Sequence, residues 1–268
     1  MSTSQAPRGQ ALLIDLDGVI YEDQEPIPGA AEAIGWLEEQ RVPHLFLTNT
    51  TSKPRSALVR KMVRFGIGAE ASRIVTPPFA ANRWLAEHID GRVALFVAEG
   101  VIEEFAGLDL APPGDSGPVA AVVIGDYGDR WTFAELNRAF RLLMTEPRPR
   151  LIALGMTRYW HAGDGMRLDV APFVVALEHA SGIEPMVLGK PAEPFFEMAL
   201  TTLGSTAAAT WMIGDDVRSD IGGAQRAGIR GILVRTGKFR PADLELDIRP
   251  EAVLDSIAGL PGWWKTLA

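Results

Sequence analysis

Ala11-Leu12-Leu13-Ile14-Asp15-Leu16-Asp17-Gly18 is an apolar run that ends in two carboxylates and a glycine. Its apolar part is typical of a strand that is buried on both faces of a sheet. Side chains two positions apart point to the same side of a strand, so Asp15 and Asp17 share a side at its carboxyl end. Open α/β sheets bind their ligands at that end of their strands. Taken alone, Asp17-Gly18 is also an ordinary turn signal, and only the rest of the chain distinguishes the two interpretations.

The composition is that of an ordinary soluble globular protein. The 268 residues fit one large domain or two modest ones, with 47% hydrophobic and 22% charged residues. The net charge of −8, without a Lys/Arg-rich block, argues against nucleic acid or an anionic membrane as the partner. The polar segment 1–10 lacks the apolar core of a signal peptide, and no apolar run reaches the ~18–20 residues that span a bilayer. We therefore expect a cytoplasmic protein with no nucleic-acid or membrane partner.

The chain contains no cysteine. This excludes disulfides, thiolate catalysis and zinc sites with cysteine ligands, and it fits a reducing compartment. The four histidines, His44, His88, His161 and His179, show no spacing typical of a metal site. We interpret them as structural or solvated.

Strand-like and helix-like patterns alternate along the chain. Strands are predicted at 11–16, 42–47, 74–76, 93–97, 119–124, 151–154, 187–188, 210–213 and 231–234, with helices at 29–40, 54–65, 80–88, 101–105, 132–143, 171–180, 195–203 and 221–227. This alternation predicts an α/β fold with a mostly parallel sheet that is covered by helices on both faces. Pro77-Pro78 is interpreted as a break at a domain boundary, and the tail from residue 241 as a loop followed by a final helix.

Four predicted strand ends carry polar groups. These are Asp15 with Asp17, Thr48 with Asn49, Lys190, and Asp215 with Asp216 and Asp220. All carboxyl strand ends of a parallel sheet lie along one edge, so these groups could converge there. Each alone has a simpler interpretation: a turn at Thr48, a solvated charge at Lys190, a helix cap at Asp220. Their occurrence together, each just after an apolar strand, favours a single site.

The four groups together resemble the motifs of the haloacid dehalogenase superfamily of phosphatases. Its first motif, Asp-x-Asp-Gly, is matched at 15–18, its second by Thr48, its third by Lys190 in Gly189-Lys190-Pro191, and its fourth by Gly214-Asp215-Asp216 with Asp220. The motifs occur in order, and the resemblance spans nearly the whole chain. Positions 17 and 48 are 31 apart and 190 and 215 are 25 apart, whereas 48 and 190 are 142 apart. An inserted domain therefore fits only between the second and third motifs, a placement that in this superfamily belongs to subfamily IIA with its C2-type cap.

The resemblance implies a discontinuous, Rossmann-like catalytic core of residues 1–77 and 187–268, with a smaller α/β cap of residues 78–186. It also implies a Mg²⁺-dependent phosphatase that acts on a small phosphorylated molecule, a phosphoamino acid or pyrophosphate. Asp15 would attack phosphorus and form an aspartyl-phosphate, while Asp17 would serve as general acid and base. A homodimer is possible for this branch.

Further roles follow from the same resemblance. Mg²⁺ would be held by the carboxylates of Asp15 and Asp215 and by the main-chain carbonyl of Asp17. Phosphoryl oxygens would be bound by Thr48, the backbone at Asn49 and Lys190, and Lys190 or metal-bound water would be oriented by Asp216 and Asp220. In the cap, the candidate specificity residues are Arg158, Tyr159 and Trp160. The alternative for these three is an aromatic-rich loop that packs against its own domain.

Three other functions compete with the phosphatase. A regulatory protein with the same fold would bind a phosphate ligand without turnover, and the intact carboxylate set argues against it. A haloacid dehalogenase would have no use for Asp17 or for the acidic fourth motif. A phospho-accepting signalling receiver also combines Asp, Thr and Lys on a parallel sheet, but receivers are far shorter and have no large inserted domain.

Overall fold

The structure is a computed structural model that describes residues 9–267. The chain forms two compact units. The first unit consists of the chain up to Thr48, Ser56–Val75, and the chain from Lys190 onward; the second unit consists of Asn49–Arg55 and Thr76–Gly189. The segment 1–8, within the part of the chain that shows no signal-peptide pattern, lies outside the described residues.

The first unit is built on a parallel sheet, as the alternation of patterns predicts. Among residues 9–267 this sheet has six strands, in the order Ala252–Leu254, Arg230–Val234, Thr210–Gly214, Ala11–Asp15, His44–Leu47 and Ile74–Val75. The strand Ala11–Asp15 pairs on both sides, with Leu13 opposite Leu45 and Met212. Its central position explains why all five of its residues are buried and why its sequence is apolar at consecutive positions.

Helices and short turns cover this sheet. The α-helices are Ala30–Glu39, Arg55–Arg64, Glu193–Leu203, Gly223–Arg226 and Leu260–Trp264, the π-helical turn is Val217–Gly222, and the 3₁₀ turns are Ala71–Arg73, Ala207–Ala209, Pro241–Glu245, Ile257–Gly259 and Lys265–Leu267. A short hairpin joins Tyr21–Glu22 to Glu25–Pro26. The tail is more ordered than the sequence suggests, because Ile257, Leu260 and Trp264 are buried in the main hydrophobic core.

The second unit has its own parallel sheet. Its strands, in spatial order, are Met186–Val187, Arg150–Ala153, Ala121–Ile124 and Val93–Phe96. The helices are Pro77–His88, Phe133–Leu143 and Val170–Ser181, with 3₁₀ turns at Glu99–Phe105 and Gly128–Arg130. A β-hairpin pairs Tyr159–Ala162 with Gly165–Leu168. The hydrophobic core of the second unit contains Phe96, Ile124 and Leu142.

Among the local features that differ from the expectation, three concern the domain boundaries and the sheet edge. Pro77 and Pro78 do not break the chain but occupy the first turn of a helix, where proline needs no amide hydrogen. Thr76 caps that helix by accepting a hydrogen bond from the Phe79 amide at 3.3 Å. The strand Met186–Val187 belongs to the second sheet, although the sequence begins the second core segment at residue 187. The edge strand Ala252–Leu254 was not predicted.

The α/β fold class with a parallel-sheet core is confirmed. The assignment of the first unit as catalytic core and of the second as C2-type cap stays a prediction. Across residues 9–267, the helices are all too short or too polar to cross a bilayer.

Candidate active site

The strand Ala11–Asp15 delivers Asp15 to the carboxyl edge of the first sheet, where its side chain is buried. The chain then turns at Gly18, whose φ of +85° lies in the left-handed region that favours glycine. The turn is closed by a hydrogen bond of 2.7 Å from the Gly18 amide to the Tyr21 carbonyl. A Cβ atom at Gly18 would overlap the carboxylate of Asp215. Glycine is therefore required here by the backbone and also by the space beside the site.

Lys190 joins two of the predicted carboxylates. Its Nζ lies 2.6 Å from Asp15 Oδ1 and 2.6 Å from Asp220 Oδ1, and all three side chains are at least 90% buried. Burial alone would lower the pKa of Lys190, but the charges of Asp15 and Asp220 outweigh it and hold that pKa above its usual value. Lys190 is thus a fixed positive charge at the end of the central strand.

Asp15, Asp215 and Asp220 form what we call the carboxylate cluster. One oxygen from each lies within 4.8 Å of the others, and the three residues are buried. Burial, together with the Asp15 charge, raises the pKa of Asp215 to about 8 and that of Asp220 to about 6. Asp215 Oδ1 is buried and has no hydrogen-bond partner among the described residues. A buried oxygen without a donor, within a set of hard oxygen ligands, fits a divalent cation such as Mg²⁺.

A loop outside the four motifs, which we call the Thr236–Lys238 brace, holds this cluster in place by hydrogen bonds. It follows the strand Arg230–Val234 and consists of Thr236, Gly237 and Lys238. The Lys238 amide donates to Asp215 Oδ2 at 2.7 Å, and the Thr236 hydroxyl donates to the Gly18 carbonyl at 2.5 Å. A Cβ atom at Gly237 would overlap the Asp215 carboxylate. Sequence reasoning missed these residues, and the available signal was that they too follow a predicted strand, 231–234.

The remaining predicted site residues lie in different settings. Asp17 is exposed, and its carboxylate is not part of the cluster. Thr48 is buried directly after the strand His44–Leu47, and its amide donates to the Val75 carbonyl at 3.2 Å. Asn49 is half-buried and belongs to the second unit.

The two acidic residues that were predicted to orient Lys190 or metal-bound water make different contacts. Asp220 pairs with Lys190 and accepts a hydrogen bond of 3.1 Å from the Asp216 amide. Asp216 instead caps the π-helical turn, because its Oδ1 accepts hydrogen bonds from the Arg218 and Ser219 amides at 3.0 and 2.9 Å. Its Oδ2 lies 3.5 Å from Lys238 Nζ.

Known protein families match the two segments of the chain that carry these site residues. A family model described as haloacid dehalogenase-like hydrolase matches residues 12–111, and one described as HAD-hydrolase-like matches residues 187–260. Human phospholysine phosphohistidine inorganic pyrophosphate phosphatase is 37% identical over 254 residues, covering 93% of this chain and 92% of that protein. The chain belongs to the haloacid dehalogenase-like hydrolases.

Two further relatives agree with the family assignment. Bovine haloacid dehalogenase-like hydrolase domain-containing protein 2 is 40% identical over 243 residues, covering 91% of this chain and 90% of that protein. The p-nitrophenyl phosphatase from Archaeoglobus fulgidus superposes with a TM-score of 0.87 at 27% identity, covering 96% of this chain and 100% of that one. The resemblance found in the motifs is confirmed, and the chain is an enzyme of the haloacid dehalogenase phosphatase type.

The candidate specificity residues of this family member lie at a hairpin of the second unit. Arg158, Tyr159 and Trp160 are exposed, and the last two belong to the strand Tyr159–Ala162. Trp160 lines a cavity of about 570 Å³. The other lining residues include Asp126, Trp131, Arg167, Asp169 and Phe173. The segment is therefore part of a β-hairpin, and aromatic and charged side chains line the cavity beside it.

Proposed function

We propose that this protein is a Mg²⁺-dependent phosphatase that works through an aspartyl-phosphate on Asp15. One observation carries the proposal: Lys190 Nζ lies 2.6 Å from Asp15 Oδ1 and 2.6 Å from Asp220 Oδ1, within the carboxylate cluster. Phosphoryl transfer depends mainly on positioning and on neutralising charge. A buried lysine beside a divalent-cation site supplies both for an anionic phosphoryl group.

The chemistry divides into two displacements. A carboxylate oxygen of Asp15 would form a bond to phosphorus while the bond from phosphorus to the leaving oxygen breaks, and Asp17 would give that oxygen its proton. Water would then attack the phosphorus, with its proton passing to Asp17, and the bond to Asp15 would break to release inorganic phosphate. The exposure of Asp17 suits this role, because its carboxyl must exchange a proton with leaving group and water.

The other residues bind and orient. Asp15, Asp215 and the Asp17 carbonyl would hold Mg²⁺, which when bound neutralises charge on the transferring group. Thr48, the Asn49 backbone and Lys190 would bind the phosphoryl oxygens. Asp220 would hold Lys190 in position, and the Lys238 amide would fix the Asp215 carboxylate.

The second unit would serve as the C2-type cap, excluding water and selecting the substrate through Arg158, Tyr159 and Trp160. Relatives named for phospholysine, phosphohistidine, inorganic pyrophosphate and p-nitrophenyl phosphate support a small phosphorylated molecule, a phosphoamino acid or pyrophosphate as substrate. We propose that the protein acts in the cytoplasm, with a homodimer as its possible assembly.

The test is release of inorganic phosphate from phosphate esters, phosphoramidates and pyrophosphate, with Mg²⁺ or with EDTA. Wild type is compared with Asp15→Asn and with Asp255→Asn, whose side chain is 92% exposed after the edge strand Ala252–Leu254. We expect Mg²⁺-dependent release that collapses in Asp15→Asn and persists in Asp255→Asn. Release that is indifferent to Mg²⁺ or to Asp15 would contradict the mechanism. Phosphate binding without turnover on any substrate would favour the regulatory alternative.

A further inference from the structure

We propose that Glu104 is a positioning residue for the phosphate-binding segment of the second unit, acting through Arg55. This inference rests on the proposed function, because that function gives Thr48 and Asn49 their role. The segment is 49–55, which begins immediately after Thr48. Neither Glu104 nor Arg55 belongs to any of the four motifs.

Glu104 holds Arg55 by its backbone and by its side chain at once. The Arg55 amide donates to Glu104 Oε1 at 2.7 Å, and Arg55 Nε donates to Glu104 Oε2 at 2.6 Å. Arg55 is the first residue of the helix Arg55–Arg64, where an amide has no partner within the helix. Two bonds to one carboxylate therefore fix both the position and the direction of the chain as it leaves the segment.

Glu104 is itself firmly placed. Its side chain is only 5% exposed, and its carbonyl accepts a hydrogen bond of 2.6 Å from Asn82 Nδ2. The same Asn82 amide group donates to the Ala106 carbonyl at 3.2 Å. The guanidinium of Arg55 also lies 4.1 Å from the ring centroid of Phe79. The helix Pro77–His88 and the turn Glu99–Phe105 thus form a fixed support for Arg55.

The other end of the segment is also constrained. Gly189 leaves little room, because an added Cβ atom would lie 3.4 Å from Asn49 Oδ1 and 2.8 Å from the Leu154 carbonyl. Asn49 is therefore packed beside the residue that precedes Lys190 in the chain. With Asn49 packed at one end and Arg55 held at the other, the path of the short segment between them is restricted.

Glu104 is buried and Arg55 is half-buried, so the desolvation of the Glu104 carboxylate offsets much of the Coulomb energy of the pair. Its benefit is a defined geometry, and a phosphate site needs its backbone donors within a fraction of an ångström. The arrangement therefore fits a positioning role better than a purely stabilising one.

The test measures binding of inorganic phosphate to the Mg²⁺-loaded full chain by calorimetry. Glu104→Gln keeps the size of the side chain but removes the charge from the pair. We expect its phosphate dissociation constant and its KM to rise by at least ~10-fold, with the midpoint of Mg²⁺ binding unchanged. The matched control is Asp115→Asn, which breaks the 2.6 Å pair of Arg92 with Asp115 in the same unit, away from the segment. We expect that control to bind phosphate like wild type.

Arg55→Lys supplies a second variant. It keeps the charge and the amide but loses the planar guanidinium, so we expect a partial loss of phosphate affinity. The positioning role is overturned if Glu104→Gln binds phosphate like wild type, or if Asp115→Asn weakens binding equally. Because the readout is binding of phosphate rather than turnover, it does not depend on the fate of Asp15→Asn, and the two proposals can fail separately.

Discussion

The ammonium group of Lys190 lies 2.6 Å from Asp220 Oδ1, although the two residues come from different segments after different strands. The same ammonium lies 2.6 Å from Asp15, so one buried cation serves two buried carboxylates. Asp215 adds a third buried carboxyl group to the same cluster, and Lys190 is the cation that pairs with two of the three. The arrangement is therefore sensitive to loss of its cation.

Replacement of Lys190 tests this dependence directly. We expect Lys190→Met to lower the free energy of unfolding by ~3–5 kcal/mol in metal-free protein, because the carboxylates lose their buried partner. Urea denaturation with EDTA present measures the change. Lys265→Met, at an exposed position in the last turn, is the control and should unfold like wild type. Equal unfolding midpoints for the two variants would show that the cluster does not need the ammonium.

Substitution at Gly18 separates backbone strain from crowding of the site. Gly18→Ala places a methyl group where the Asp215 carboxylate lies, at a φ of +85°. Gly66→Ala is the matched control, since its φ is +77° and a Cβ atom there meets nothing within 4 Å. Both should lose ~1–2 kcal/mol of stability from the left-handed backbone.

Only the Gly18 variant should also lose activity. We expect its kcat/KM to fall ~100-fold and its Mg²⁺ affinity to weaken, because Asp215 is displaced. Phosphate release and Mg²⁺ titration measure the two effects. An equal loss of activity in Gly66→Ala would attribute the effect to general destabilisation instead.

The convergence of Asp15, Lys190 and Asp215 could be predicted from sequence because each follows an apolar strand, and parallel strands end at one edge. The Thr236–Lys238 brace could not, since its contact with Asp215 uses a backbone amide, which every residue except proline has. Two further contacts of this loop also have no pattern in the sequence. The Thr236 hydroxyl donates to the Gly18 carbonyl, and Gly237 leaves room for the Asp215 carboxylate.

The sequence does not predict the shortest elements of the fold. The strand Ala252–Leu254 has three residues, all half-buried, and carries too few side chains for a periodic pattern. Pro77-Pro78 shows the opposite problem, because proline marks both a helix start and a break. The link from Arg55 to Glu104 spans 49 positions and has no local signal in the sequence.

The hairpin of the second unit should affect substrate choice rather than phosphate binding. Trp160 is 46% exposed and lines the cavity of about 570 Å³. We expect Trp160→Ala to raise KM by ~10-fold for p-nitrophenyl phosphate, which has an aromatic leaving group, and to leave inhibition by inorganic phosphate unchanged.

The control for this experiment is Phe133→Ala. Phe133 is 82% exposed in the same unit and does not line that cavity. Equal kinetics for wild type and Trp160→Ala, across aromatic and small substrates alike, would show that the hairpin does not contact the leaving group.

The burial of His44 should make the free energy of unfolding depend on pH. Its side chain is buried in the strand His44–Leu47, its Nδ1 lies 2.9 Å from the Val42 carbonyl, and burial lowers its pKa below the usual 6.5. The folded state therefore favours the neutral ring. This contribution is complete above the unfolded pKa near 6.5 and is lost as the pH falls through 6.5 toward the lower folded pKa, by at most ~1.4 kcal/mol per pH unit.

The raised pKa values of Asp215 and Asp220 act in the opposite direction. The folded state favours their protonated forms, so stability falls as the pH rises from about 4 toward 8.

The contribution of His44 is therefore measured as the difference between wild type and His44→Asn, which keeps a donor for the Val42 carbonyl. We expect wild type to lose more stability than this variant between pH 7.5 and 5, measured by urea denaturation at each pH. His88→Asn, at an exposed position, should follow wild type. Parallel curves for wild type and His44→Asn would contradict the prediction, because they would mean that His44 takes up its proton at the same pH in the folded and unfolded states.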